Sequence, residues 1–294
     1  MVSNGFLVVD KTGGMTSHDV VAKIRKRFGT KKVGHAGTLD PMATGVLVIG
    51  IGNATRLLQY VTDGRKAYDG TIRLGSATHT DDREGEEISR ATPDQIALVS
   101  EEVIASELAK MVGTVKQRPS SVSAIKIDGK AAHQRIREGE VVDIPEREVT
   151  ISSIEITRIQ RTDSTIDIDI AVICSAGTYI RSIARDLGDR LHVGGHLTAL
   201  RRTLVSPFTL DESAPWESAE SIDTAAGISR LFPARTLDFN EMLESSHGRY
   251  LAPNPHEGIV VALSPHNEFA ALLENKEISG KILATPSLVA PQNA

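Results

Sequence analysis

Residues 164–174, STIDIDIAVIC, alternate polar and apolar side chains almost without a break. A period of two puts successive side chains on opposite faces of an extended chain, so this stretch reads as a strand with one apolar face. Residues 148–159 and 68–75 (YDGTIRLG) carry the same alternation. Two apolar runs, GFLVVD (5–10) and VLVIGIG (46–52), add buried-strand candidates. Helical spacing lies between them: Val20, Val21, Ile24 and Phe28 share one face, and Ser17 stands where a cap belongs. Residues 54–62 read as a helix, as do 94–113 up to Gly113, and GTYIRSIARDLGDRL reads as a strand end entering one. LTALRRT (197–203) is expected to be helix-like, and the polar, acidic 78–94 a surface loop. After Pro215 a helical acidic segment is expected to about Pro233, and beyond it GIVVALS, FAALLEN and KILAT predict a small β-rich domain.

Charge decides which partners suit the chain. The net charge is −5, yet residues 1–75 hold 11 Lys/Arg against 5 Asp/Glu, while 211–294 hold 5 against 12. A basic face on an acidic protein can still steer a phosphate backbone, because the local field acts on the ligand. The stretch KIRKRFGTKK is read as that face or as a solvated helix end. Cys174 is the single cysteine, so an internal disulfide and a cysteine-rich zinc site are excluded; a small buried residue is expected there. No run reaches the ~18 apolar residues of a membrane span. MVSNGFLVVDKTGG lacks the pattern of a secretory leader, so a cytoplasmic protein with no membrane association is expected.

Three constellations could carry chemistry. In GHAGTLDPMATG (34–45), Pro41 confines Asp40 to extended backbone and glycines flank it. A carboxylate so held can serve as nucleophile, base or metal ligand, or simply as a turn residue. In CSAGTYIRSIARDLG, Tyr179 and Arg181 are expected to share one face of a strand end, an aromatic beside a guanidinium. Lys66 and Tyr68 share a face in the same way. The nine histidines are scattered with no HExxH, and HTDDREGEE lacks the order of a calcium loop, so it is read as solvated. GxGxxG with its acidic partner, GxxxxGK[ST] and GxSxG are all missing, which disfavours nucleotide cofactors and serine hydrolysis.

With these residues in hand, the chain resembles the bacterial tRNA pseudouridine synthase B family, and its actinobacterial members most. Six collinear blocks carry the likeness: VVDKTGGMTSHDVV, VGHAGTLDPMATGVLVIGIGNATR, KAYDGTIRLG, PSSVSAIKIDGK, GTYIRSIARDLG and VGGHLTALRRTLVSPF. The resemblance implies an α+β pseudouridine synthase fold, with a mixed, mainly antiparallel central sheet flanked by helices. It implies a catalytic domain over 1–232, an RNA-clamping insertion at 118–147 and a PUA-like domain at 233–294. It implies isomerisation of uridine 55 in the TΨC loop of tRNA, with an added role in tRNA folding. Asp40 matches the nucleophile, Tyr68 the aromatic that stacks on uracil and takes the C5 proton, and Arg181 the partner of Asp40. Tyr179 and Leu200 match the base-pocket lining, His35 the residue that fills the space of the flipped base, and Lys11 and Arg56 further substrate-side positions. No cofactor, metal or obligatory protein partner is implied, and a monomer is expected. Addition at C6, attack at C1′ and a glycal route all suit a carboxylate here. The chain departs from the family in reading KTGG for KPxG and in carrying His133 where relatives commonly have Tyr. A related synthase with another RNA target, as among box H/ACA relatives, would be expected to carry a basic tail; this C-terminus is acidic.

Overall fold

The computed structural model describes residues 4–120, 126–127, 130–131 and 144–291. The clamp insertion expected at 118–147, with His133, falls mostly outside them. Among the described residues the large sheet has ten strands. Its main path runs Ile222–Asp223, Gly5–Lys11, Thr44–Ile51, Gly195–Val205, Lys66–Leu74, Ile166–Cys174, Arg147–Arg161, Gly113–Gln117. Every neighbouring pair is antiparallel except Thr44–Ile51 with Gly195–Val205. The sheet is therefore mixed and mainly antiparallel, as expected.

The alternating stretch 164–174 does form a strand, and Ile166, Ile168, Ile170, Val172 and Cys174 all face the core. Helix Ile180–Arg190 covers that face through Ile183, Ala184 and Leu187. Helix Ser17–Phe28 covers the other half of the sheet through Val20, Val21 and Ile24. Its cap is Thr16, one residue before the expected Ser17: Thr16 and Asp19 form the reciprocal capping pair. This frees the Ser17 hydroxyl for another task, described below.

Three expectations are corrected. LTALRRT is not helical; it lies in the central strand Gly195–Val205, where pairing on both sides overrides helix propensity. Residues 94–113 form two short helices, Pro93–Ala97 and Glu101–Ala109, because Ser100 starts a fresh cap. In the segment after Pro215 the helix is a single short one, Thr224–Ile228, started by the Asp223 side chain.

A four-stranded sheet holds Ala234–Thr236, Ile259–Leu263, Phe269–Ile278 and Lys281–Val289. The three expected strand runs are there, together with a helix at Phe239–Ser246. Val261, Leu272 and Leu288 of this β-rich, PUA-like region share a core with Phe6, Val8 and Leu57.

Candidate active site

The loop after strand Val33–His35 is built to hold one side chain still. Each carbonyl from Gly37 to Pro41 is engaged. Arg202 donates to Gly37 at 3.1 Å and to Thr38 at 3.4 Å. The Ser17 hydroxyl donates to the Leu39 carbonyl and accepts from its amide. The Ala43 amide takes the Asp40 carbonyl, and Lys11 Nζ and the Gly14 amide take that of Pro41. Buried backbone groups left unpaired are costly, so this full set fixes the loop. Just past the loop, strand Thr44–Ile51 comes unusually near the strand bearing Arg202. A Cβ on Gly45 would lie 2.2 Å from the Arg202 carbonyl, at φ +98°, which only glycine tolerates.

Asp40 meets Arg181 at the loop's tip. Arg181 Nε lies 2.9 Å from Oδ2, and Nη2 donates to Oδ1 at 3.1 Å. The arginine side chain is 5% exposed and the carboxylate 32%, so the charge pair is held from within and open on one side. Arg181 sits in the first turn of helix Ile180–Arg190, and Tyr179 is that helix's N-terminal cap residue. The expected strand end is thus corrected to a helix start; Gly177, at φ +82°, makes the turn into it. The alternation argument for these two residues fails, though both reach the same cavity.

That cavity is about 270 Å³ and is lined by Asp40, Tyr68, Tyr179, Arg181 and Leu200, together with Lys66 and Arg202. Pockets for drug-sized ligands start near ~300 Å³, so this one suits a single flat ring. Tyr68 and Lys66 do share one face of strand Lys66–Leu74. Register places Tyr68 between Val172 and Arg202. Burial raises the Tyr68 hydroxyl above its usual value; the Arg202 guanidinium against it pulls the other way. Burial also brings the Lys66 ammonium, which donates to the Thr62 and Gly64 carbonyls, down to about 8. Lys11 falls to about 8 for the same reason.

The remaining candidates lie outside the cavity wall. Lys11 sits beneath the loop, bonded to the carbonyls of Thr12, Met15 and Pro41. His35 is packed edge-on against His18, 5.4 Å between ring centres, and burial lowers its pKa. Arg56 is not brought to the cavity: it lies in the helical turn Gly52–Leu57 and donates to the Val289 carbonyl of the four-stranded sheet.

Sequence reasoning missed three residues. Asp81 and Asp82, assigned to a solvated loop, are buried, and Asp82 lies 3.6 Å from Arg181. Arg202 reads in sequence as one of two arginines in a helix-like stretch; its strand pairing with Tyr68 and its bonds to the Gly37 and Thr38 carbonyls give it away. Among the described residues no group of His, Cys, Asp or Glu could hold a metal ion.

A buried arginine grips an aspartate that is about one-third exposed, beside a tyrosine, in a cavity sized for a single ring on a mixed sheet. The fold is that of pseudouridine synthases. An H/ACA RNP bound to a substrate RNA containing 2′-deoxyuridine superposes with a TM-score of 0.71 at 22% identity, covering 99% of this chain and 87% of that one. A Cbf5–Nop10–Gar1 complex gives 0.69 at 24% identity, covering 98% and 85%. The model of the TruB family pseudouridylate synthase N-terminal domain matches residues 25–180, and that of the tRNA pseudouridylate synthase B C-terminal domain matches 181–224. Curated relatives named tRNA pseudouridine synthase B include one from Corynebacterium diphtheriae, 51% identical over 99% of this chain and 98% of its own length. Another, from Rhodococcus jostii, is 48% identical over 94% and 92%. The chain belongs to the TruB family of pseudouridine synthases.

Proposed function

We propose that this chain isomerises uridine 55 in the TΨC loop of tRNA, with Asp40 as nucleophile. The observation that carries the reading is the Asp40–Arg181 pair at the wall of the 270 Å³ cavity. The names of its actinobacterial relatives supply the tRNA substrate. The uridine must leave its stack to react. Tyr68 and Leu200 offer the flipped base an aromatic face and an apolar wall, and Tyr179 closes a further side. Arg181 aims the carboxylate at the nucleoside. The N1–C1′ bond breaks, the uracil turns within the cavity and the C5–C1′ bond forms. C5 gives up a proton and N1 gains one, so atoms and electrons balance without an external oxidant or reductant. Tyr68 receives the C5 proton, which needs its phenolate; Arg202 beside the hydroxyl works toward that form, against the burial that raises the hydroxyl's pKa. His35 fills the gap left by the base. Lys11 acts from below, by holding the Pro41 carbonyl.

In this reading residues 1–232 form the catalytic domain, 118–147 clamp the RNA stem-loop and 233–294 form the PUA-like domain. The chain acts as a cytoplasmic monomer without an obligatory protein partner. Among the described residues no helix is long and apolar enough to cross a membrane. Incubation with an unmodified tRNA transcript, followed by carbodiimide treatment and primer extension, tests the assignment. Wild type should give a stop at the TΨC-loop uridine; Asp40→Ala should bind tRNA and give none. An undiminished signal from Asp40→Ala would sink the proposal.

A further inference from the structure

Arg181 has a second side, turned away from Asp40. Its Nη1 donates to the Thr80 carbonyl at 2.8 Å and to the Ser120 hydroxyl at 3.1 Å. Ser120 is fully buried. Its hydrogen has two acceptors in reach, the Thr80 carbonyl at 3.2 Å and the Asp81 carboxyl, and either choice leaves its oxygen lone pairs for Arg181. Ser120 itself arrives without freedom. Three residues earlier, the Gln117 side chain accepts from the Tyr179 amide at 2.8 Å and donates to its carbonyl at 3.0 Å. The Ser182 hydroxyl then takes the Arg118 carbonyl at 2.9 Å. The segment 117–120 is in this way stitched to the first turn of the helix that carries Arg181.

A guanidinium is planar and rigid, so pinning Nη1 sets the direction in which Nε and Nη2 face the carboxylate. Asp82, at 3.6 Å, adds attraction but little direction at that separation. We propose that Ser120 is a positioning residue for the Asp40–Arg181 pair, a role that rests on Asp40 being the nucleophile. A purely structural hydroxyl predicts something different. Removing it leaves each of its partners another: Thr80 keeps its bond from Arg181, the Asp81 carboxyl keeps Arg185, and Nη1 still has Asp82 at 3.6 Å. Ser120→Ala should therefore spare the fold and disturb the reaction.

The test is single-turnover pseudouridine formation on a tRNA transcript. Ser120→Ala should slow the rate about tenfold, the scale of one lost hydrogen bond to a charged group. Its tRNA dissociation constant by filter binding and its melting temperature should match wild type. In an Arg181→Lys background, which has no fixed fork to orient, the same Ser120→Ala change should alter the rate by less than about twofold. An undiminished rate overturns the proposal, as does an equal loss in both backgrounds or a loss explained by weaker binding or a lower melting temperature. If the wild-type chain itself forms no pseudouridine, the functional reading fails and takes this one with it. An active wild type beside an equally active Ser120→Ala defeats only this one.

Discussion

Asp40 and Arg181 are 141 positions apart, yet each depends on the other. Local sequence exposes one half of this arrangement. The glycines and Pro41 mark Asp40 as a carboxylate on a stiff loop, and alternation puts Lys66 and Tyr68 on one face. It cannot show that Arg181 grips Asp40, that Arg202 holds the loop's carbonyls, or that Asp82 lies behind Arg181. Those are tertiary facts; for Asp40, Tyr68 and Arg181, family resemblance supplied the link. Lys66 provides a test of the buried charge at this site. Its ammonium drops from 10.5 to about 8 through burial, so between these values the unfolded chain holds the proton and the folded chain does not. The unfolded state then binds more protons, and stability from this group must rise with pH across that window. A Lys66→Met variant lacks the effect. The stability difference, wild type minus variant, should grow by about 2 kcal/mol between pH 8 and pH 10 in urea titrations. A difference that stays flat or shrinks would show that Lys66 is better solvated than its 5% exposure implies.

At the scale of elements, alternation succeeded where it governs burial: strands Ile166–Cys174 and Lys66–Leu74 bury every second residue. It failed at LTALRRT, whose apolar spacing suits a helix as well as a strand. Only the neighbours on each side decide, through main-chain pairing that no single segment encodes. The packing of helix Ile180–Arg190 on that strand was also hidden, though two glycines signal it. A Cβ on Gly188 would lie 2.1 Å from the Gly195 nitrogen, and one on Gly195 would lie 2.3 Å from the Ala184 carbonyl. Helix and strand touch backbone to backbone there, which seats the helix that carries Arg181. Gly188→Ala sets two effects against each other. Alanine favours a helix interior by about 1 kcal/mol. The contact with rigid backbone costs about 3 kcal/mol or more, since no flexible side chain can yield. The clash wins: the variant should lose roughly 2 kcal/mol in urea unfolding. Its turnover should fall as well, because the helix must lift. A variant as stable as wild type would mean that the crossing is looser than this.

For the molecule as a whole, composition puts a positive field in the first quarter of the chain but does not say how it is used. Residues 1–75 carry a net charge of +6 on a chain of −5. The structure divides the basic stretch 23–32 into two kinds of residue. Arg27 donates to the carbonyls of Trp216 and Ala219, Arg25 donates to that of Val33, and Lys23 lies over the Trp216 ring. These fasten helix Ser17–Phe28 to the rest of the fold. Lys26, Lys31 and Lys32 are exposed, with their charges free to meet phosphate. The two groups should separate in a salt titration of tRNA binding. Each phosphate contact adds about 0.7 to 0.9 to the slope of log K against log salt. Replacing Lys26, Lys31 and Lys32 together by alanine should flatten that slope by about 2, if each lysine neutralises nearly one phosphate, and leave the melting temperature in place. Arg27→Ala should do the reverse, lowering the melting temperature with little change in slope, because its charge is engaged with the protein's own carbonyls. A triple variant with the wild-type slope would place the RNA on another face and leave these lysines as a solvated helix end, the alternative that the sequence had kept open.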